Sequence, residues 1–142
     1  MNTKQDNLMM DIANRVALES KDSKTKVGAV ICIEDRILGL GYNGTPSGFD
    51  NECKDDHGKT LPTVIHAEIN ALAKVTRSTS SSVGSTVYTT MSPCVNCALN
   101  IIQSGVKEVV FRDTHKHFKE GIPLLEKAGI TVRQHRTYNG TG

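Results

Sequence analysis

The residues of this chain best suited to chemistry fall in two short stretches, His66-Ala67-Glu68 and Pro93-Cys94-Val95-Asn96-Cys97. Together they offer one imidazole and two thiols, the donors that suit zinc, with a carboxylate two residues from the imidazole. Cys94 and Cys97 stand three positions apart at the start of a predicted helix, so their sulfurs share one face. The partial positive charge at that helix N-terminus favours thiolate. Pro93 suits the approach to the helix, where its missing N–H is not needed. His66 precedes a second predicted helix, and its ring can turn toward the same point. Three protein ligands, not four, describe a zinc site with a position open to water, whose pKa falls to about 7 in favourable sites. Glu68 is then placed to shuttle protons beside that water. A lone Cys-x-x-Cys suits a closed zinc knuckle or a redox pair equally well. Here a closed site would draw a fourth ligand from Cys32, Cys53, His57 or His115, and would leave Pro93 and Glu68 unexplained.

The elements that must position these groups follow from periodicity. Residues 6 to 21 read as an amphipathic helix with Leu8, Met9, Ile12, Ala13 and Val16 on one face, ended by the polar run Lys21 to Lys24. Val27 to Ile33 and Arg36 to Tyr42 form a predicted hairpin about Glu34-Asp35. The stretch from Asn43 to Thr60 is dense in turn residues and reads as a long surface excursion, a kind of loop that is usually functional or mobile. A helix follows from Ile65, then a Ser/Thr-rich linker over Ser78 to Ser82. Strands are expected at Thr86 to Thr90, Val106 to Phe111 and Ile130 to Val132, separated by helices at Val95 to Gln103 and near Gly121 to Lys127. This order predicts an α/β fold, one sheet layered between helices. The three later strands should be parallel and the opening pair antiparallel. The whole of 1–142 is expected to be one domain.

Composition excludes several classes. Seventeen basic against fifteen acidic residues leave a formal charge of only +2, which is not the footprint of a dedicated nucleic-acid binder. Three Tyr, three Phe and no Trp leave few platforms on which a single strand could stack. Asp11, Asn14 and Arg15 interrupt the longest apolar stretch, so no membrane span or secretory segment is expected. Four Cys without a leader point to reduced thiols or metal ligands in a cytoplasmic protein.

The order His-x-Glu…Pro-Cys-x-x-Cys is the known signature of the zinc deaminases, and this chain matches it at every fixed position. Ser20-Lys21-Asp22, Val27-Gly28-Ala29, Gly41-Tyr42-Asn43-Gly44-Thr45-Pro46-Ser47-Gly48, His66-Ala67-Glu68-Ile69-Asn70-Ala71 and Ser92-Pro93-Cys94 occur in series. Together they resemble the cytidine/deoxycytidylate deaminase superfamily, and the glycine-rich loop narrows the likeness to its dCMP deaminases. The resemblance spans residues 8 to 132.

It implies a three-layer α/β/α fold with a mixed five-stranded sheet, and hydrolysis of dCMP to dUMP and ammonia feeding thymidylate synthesis. It also implies Zn2+ on His66, Cys94 and Cys97, with Glu68 as proton shuttle. The Ala67 backbone would bind the pyrimidine carbonyl, the Ser92 carbonyl would face the departing amine, and Asn43 would read the sugar. Regulation by dCTP and dTTP and a homo-oligomer, a hexamer, belong to the same expectation. The glycines of residues 41–48 would let backbone N–H groups approach phosphate, with Lys21, Lys24 and Lys26 adding charge.

Relatives often place a Tyr near the pyrimidine where this chain has Asp113 to His117. His115 either takes that role, offering a flat face and a donor, or belongs to a solvated basic turn. Cys32 reads as a small core residue, Cys53 and His57 as weak candidates for a second zinc, and His135 as part of an inert polar tail. Three rivals share parts of this pattern. They are a deaminase of another cytosine nucleotide, one acting on a base in tRNA or single-stranded DNA, and a non-catalytic zinc scaffold.

Overall fold

Gly28–Ile33 is apolar at every position, the mark of a strand covered on both faces, and the computed structural model places it inside a five-stranded sheet. Residues 3–116 and 119–136 are described. They form α1 (Thr3–Ala17), β1 (Gly28–Ile33), β2 (Arg36–Tyr42), α2 (Ala67–Thr76), β3 (Thr86–Met91), α3 (Val95–Gln103), β4 (Glu108–Asp113), α4 (Gly121–Lys127) and β5 (Thr131–Gln134). The strand order is β2-β1-β3-β4-β5. β1 runs antiparallel to both β2 and β3, whereas β3, β4 and β5 are parallel. The last three strands are joined through α3 and α4, as parallel neighbours require.

Alternation along each strand sorts the core into two layers. Ala29, Ile31, Val87 and Val109 face α2, α3 and α4 together with Ala71, Ile101 and Leu125. Val30, Cys32, Tyr88 and Val110 face α1, against Met9, Met10 and Ala13. Burying each large aliphatic side chain here contributes roughly 1.5–3 kcal/mol. The mixed sheet between two helical layers matches the fold expected from the pattern of elements, and Cys32 is a core residue with no exposed surface.

The first helix departs from its expected bounds and face. It begins at Thr3 and ends at Ala17, and a tight turn over Leu18 to Ser20 follows. The buried positions are Asp6, Met9, Met10, Ala13 and Ala17, while Leu8 is more than half exposed. The reason is Asp6. Its carboxylate takes two hydrogen bonds from Arg133, at 2.9 and 3.2 Å, and one from the Tyr88 hydroxyl at 2.6 Å. A charged residue thus occupies the core side of α1, and an apolar count rotates the helix away from it. His135 is likewise engaged, with Nε2 2.7 Å from Asn7 Oδ1.

Two close approaches carry the site. A side chain at Gly41 would put its Cβ 2.5 Å from Ala67 O and from Ala71 N, so only glycine lets α2 lie this near β2. A Cβ at Gly121 would fall 2.1 Å from Pro93 O, so the start of α4 seats directly on the turn that precedes α3. Among the described residues, no helix is long and apolar enough to cross a membrane.

Candidate active site

α2 and α3 begin side by side, and each contributes the residue at its N-cap. His66 caps α2 in extended backbone, φ −70° and ψ 156°, and its side chain makes no capping bond. The imidazole is therefore not committed to its own helix. Cys94 caps α3, its sulfur accepting from Cys97 N at 3.5 Å, and Pro93 sits one residue before the cap. His66 Nδ1 lies 3.2 Å from Cys97 Sγ and 3.5 Å from Cys94 Sγ. The three donor atoms all fall within 4.8 Å of one another, the one such group of three or more among the described residues.

This set fits zinc. Tetrahedral bonds of about 2.3 Å to sulfur and about 2.0 Å to nitrogen put the two kinds of donor about 3.5 Å apart. Both observed nitrogen–sulfur separations lie near that edge. The structure also selects Nδ1 as the donor, a choice that residue spacing leaves open.

The electrostatics suit the same role. The Cys94 thiol is pulled down to about 3, first by its hydrogen bond with Cys97 and then, against the cost of burial, by His66 and the Cys97 backbone N–H. Cys97 moves the opposite way, because its thiol is held by Cys94 and buried beside it. Two helix starts and an imidazole surround Cys94, which makes it the thiolate of the pair. The hydrogen bond to Cys94 raises His66. Glu68, in the first turn of α2, is only 4% exposed. Burial pushes its carboxyl up to about 7, despite a bond from its own backbone N–H and the nearby His66.

These groups meet in a cavity of about 260 Å³. His66, Glu68 and Cys94 line it, as do Asn43, Ala67, Ser92 and His115, so every residue assigned from sequence except Cys97 reaches the same space. Cys97 lies behind it, fully buried. The Ser92 hydroxyl accepts from His115 N at 2.9 Å, and Ser92 N donates to Asp113 O, which ties the end of β3 to the segment after β4. Asn43 has a larger framework role than its sequence context indicates. Its Oδ1 accepts from Val27 N and its Nδ2 donates to Thr25 O, both at 2.8 Å.

Part of the glycine-rich loop is already committed within the chain. Asn43 N donates to Val27 O, Gly44 N to Ile65 O and Phe49 N to Pro46 O. Those amides are spent on the chain itself, and Gly41 serves the packing of α2. Nor do the expected lysines reach the cavity. Lys21 is exposed, Lys26 donates to the Ser20 carbonyl, and Lys24 lines a neighbouring hollow, beside Asp55 and Asp56, that Lys54 also borders.

The cation that does line the cavity is Lys54, from the excursion, beside Asp22, Thr25 and Thr60. Val27, Val64 and Met91 supply its apolar wall. Sequence reasoning missed Lys54 because no periodicity places a residue in an irregular loop. The only signal was the length of that loop. Cys53 and His57, from the same loop, differ in setting. Cys53 is buried with its thiol pointing to Asn51 O, and His57 is exposed.

Residues 3–113 match the family model of the cytidine and deoxycytidylate deaminase zinc-binding region. A deoxycytidylate deaminase of Saccharomyces cerevisiae is 36% identical over 138 residues, covering 91% of this chain. The chain spans only 44% of that yeast protein's length. The deoxycytidylate deaminase of Enterobacteria phage T4 is 36% identical over 166 residues, covering 87% of this chain and 86% of the phage protein. Among solved structures, the dCMP deaminase of cyanophage S-TIM5 in complex with dCMP and dUMP superposes with a TM-score of 0.91. It is 38% identical, over 95% of this chain and 99% of that one.

Proposed function

Because this chain belongs to the cytidine and deoxycytidylate deaminase zinc-binding family, we propose that it hydrolyses dCMP to dUMP and ammonia, supplying the precursor of thymidylate. One observation carries the reading. His66, Cys94 and Cys97 converge as a three-donor zinc site beside the buried carboxyl of Glu68, on a cavity of about 260 Å³. Ligand pockets commonly measure about 300–1,000 Å³, so a space this small favours a single nucleotide over a strand.

His66, Cys94 and Cys97 would hold zinc, which would supply a Lewis acid that activates water. Glu68 carries the two protons of the attacking water in turn, the first from its carboxylate to the ring nitrogen and the second to the departing amine, and ends as the carboxylate it began as. Val27, Val64 and Met91 flank the pyrimidine and keep bulk water from it. Ala67 N–H, at the start of α2 where amides have no partner within the helix, is directed to the pyrimidine carbonyl. The Ser92 carbonyl receives the amine, and His115 stands against the ring. Asn43 reads the sugar with the amide hydrogen that remains after its bonds to Thr25 and Val27.

Finer readings belong to the same proposal. The protein works in the cytoplasm as a homohexamer, with dCTP activating and dTTP inhibiting. The family resemblance supports these points. Val95 and Leu99, exposed one turn apart on α3, add an apolar face that a second copy would cover.

The test is a parallel assay of dCMP, dCTP, cytidine and an oligonucleotide, with sedimentation in the presence and absence of dCTP. Turnover of dCMP well above the others is expected. Activity confined to the oligonucleotide would reject the assignment.

A further inference from the structure

Lys54 stands on the cavity wall with one of its three donors unspent. Its ammonium donates to Asp22 Oδ2 at 2.6 Å and to Thr60 Oγ1 at 3.0 Å. An ammonium has three N–H groups, and the third has no protein partner among the described residues. The side chain is only 12% exposed, so this is not a solvated surface charge.

Asp22 is fully engaged in turn. Oδ1 accepts from Lys24 N and from Thr25 N, both at 2.9 Å, and Oδ2 accepts from Lys54. Its carboxylate is thereby neutralised locally and works as a brace that holds the ammonium in one place. The Ser20 hydroxyl extends the brace, accepting from Asp22 N and donating to Asn43 O. The excursion, the turn after α1 and the start of the glycine-rich loop are tied together around one cation.

We propose that Lys54 is the residue that selects a phosphorylated substrate, its remaining N–H binding the 5′-phosphate of the nucleotide. This rests on the deaminase reading above and adds to it the source of discrimination between a nucleotide and a nucleoside. A phosphate oxygen completes the ammonium's third bond inside a partly desolvated space, where a charge-assisted hydrogen bond is strong. Among the described residues, no other Lys or Arg lines the cavity.

The experiment compares wild type, Lys54→Gln, the double variant Asp22→Asn/Lys54→Gln and Lys24→Gln, all loaded with zinc. The double variant removes both partners, so no buried charge is left without its counterion. Two ratios are read. One is kcat/KM for dCMP over deoxycytidine, and the other is the affinity for dUMP over deoxyuridine by calorimetry. Both ratios should fall about 10- to 100-fold in the two Lys54 variants and hold in Lys24→Gln. A ratio unchanged in the double variant overturns the inference, as does an equal fall in Lys24→Gln, which would mark a diffuse field. If wild type fails to turn over dCMP, the deaminase reading fails. The binding ratio still decides the role of Lys54, and wild type with no preference for dUMP over deoxyuridine overturns it.

Discussion

His66 Nδ1 lies 3.2 Å from Cys97 Sγ although 31 positions separate the two residues. That contact joins the starts of α2 and α3 and turns two helix caps into one three-donor site. It also gives the metal a definite consequence. The protein should bind about one zinc per chain, and His66→Ala should lose it together with activity. Glu68→Gln should keep the zinc and lose turnover by about 100-fold or more. Metal analysis beside a dCMP assay separates the two; a Glu68→Gln protein with normal turnover would reduce the site to a scaffold.

The approach of α2 to β2 depends on Gly41, where any Cβ would meet the backbone at Ala67 and Ala71. Gly41→Ala should therefore force α2 outward, at a cost of about 1–3 kcal/mol. Since His66 and Glu68 ride on that helix, zinc retention should fall as well. Urea unfolding combined with a chelator competition measures both, and an unchanged zinc affinity would show that the helix start does not move with the rest.

Asp6 anchors α1 to β5 through Arg133. Burial alone would raise its pKa, but bonds from Arg133 and Tyr88 and the Arg133 charge hold it below the ordinary value of 3.8. A depressed carboxylate contributes stability that is fully present above its unfolded pKa and is lost as pH falls through the folded one. Asp6→Asn should cost about 1–3 kcal/mol at neutral pH, because Arg133 loses one of its two carboxylate partners and keeps Glu108 at 2.8 Å. The gap between wild type and variant should narrow as pH drops below 3.8. Denaturation midpoints measured from neutral pH downward check the sign, and a gap that widens in acid would contradict it.

His115 shares the cavity with Glu68 and Cys94, and its backbone N–H is fixed by Ser92. His115→Ala should lower kcat/KM for dCMP roughly tenfold, equivalent to about 1.4 kcal/mol of transition-state stabilisation. Steady-state kinetics equal to wild type would place His115 in the wall without a role in binding.

What the sequence determined by itself is local. The pair Cys94 and Cys97 shares a face because helical geometry makes it so, and His66 with Glu68 brings a donor and a carboxylate to one helix start. Apolar strands alternating with amphipathic helices were enough to set a mixed sheet between helical layers, since short connections leave few other arrangements.

Relations between distant segments were decided only by the tertiary structure. Periodicity misjudges the face of α1 because Asp6 is buried by Arg133, 127 positions away, and hydropathy cannot register a charge neutralised from the far end of the chain. The amides of residues 43–49 look available for phosphate, yet three of them are satisfied by Val27, Ile65 and Pro46. Lys54 lies in a stretch without periodicity, and its place on the cavity wall comes from its bonds to Asp22 and Thr60. The chemistry of the site was legible because metal ligation needs particular atoms at particular spacings. The shape around it was not, because packing satisfies polar groups through contacts that no local pattern encodes.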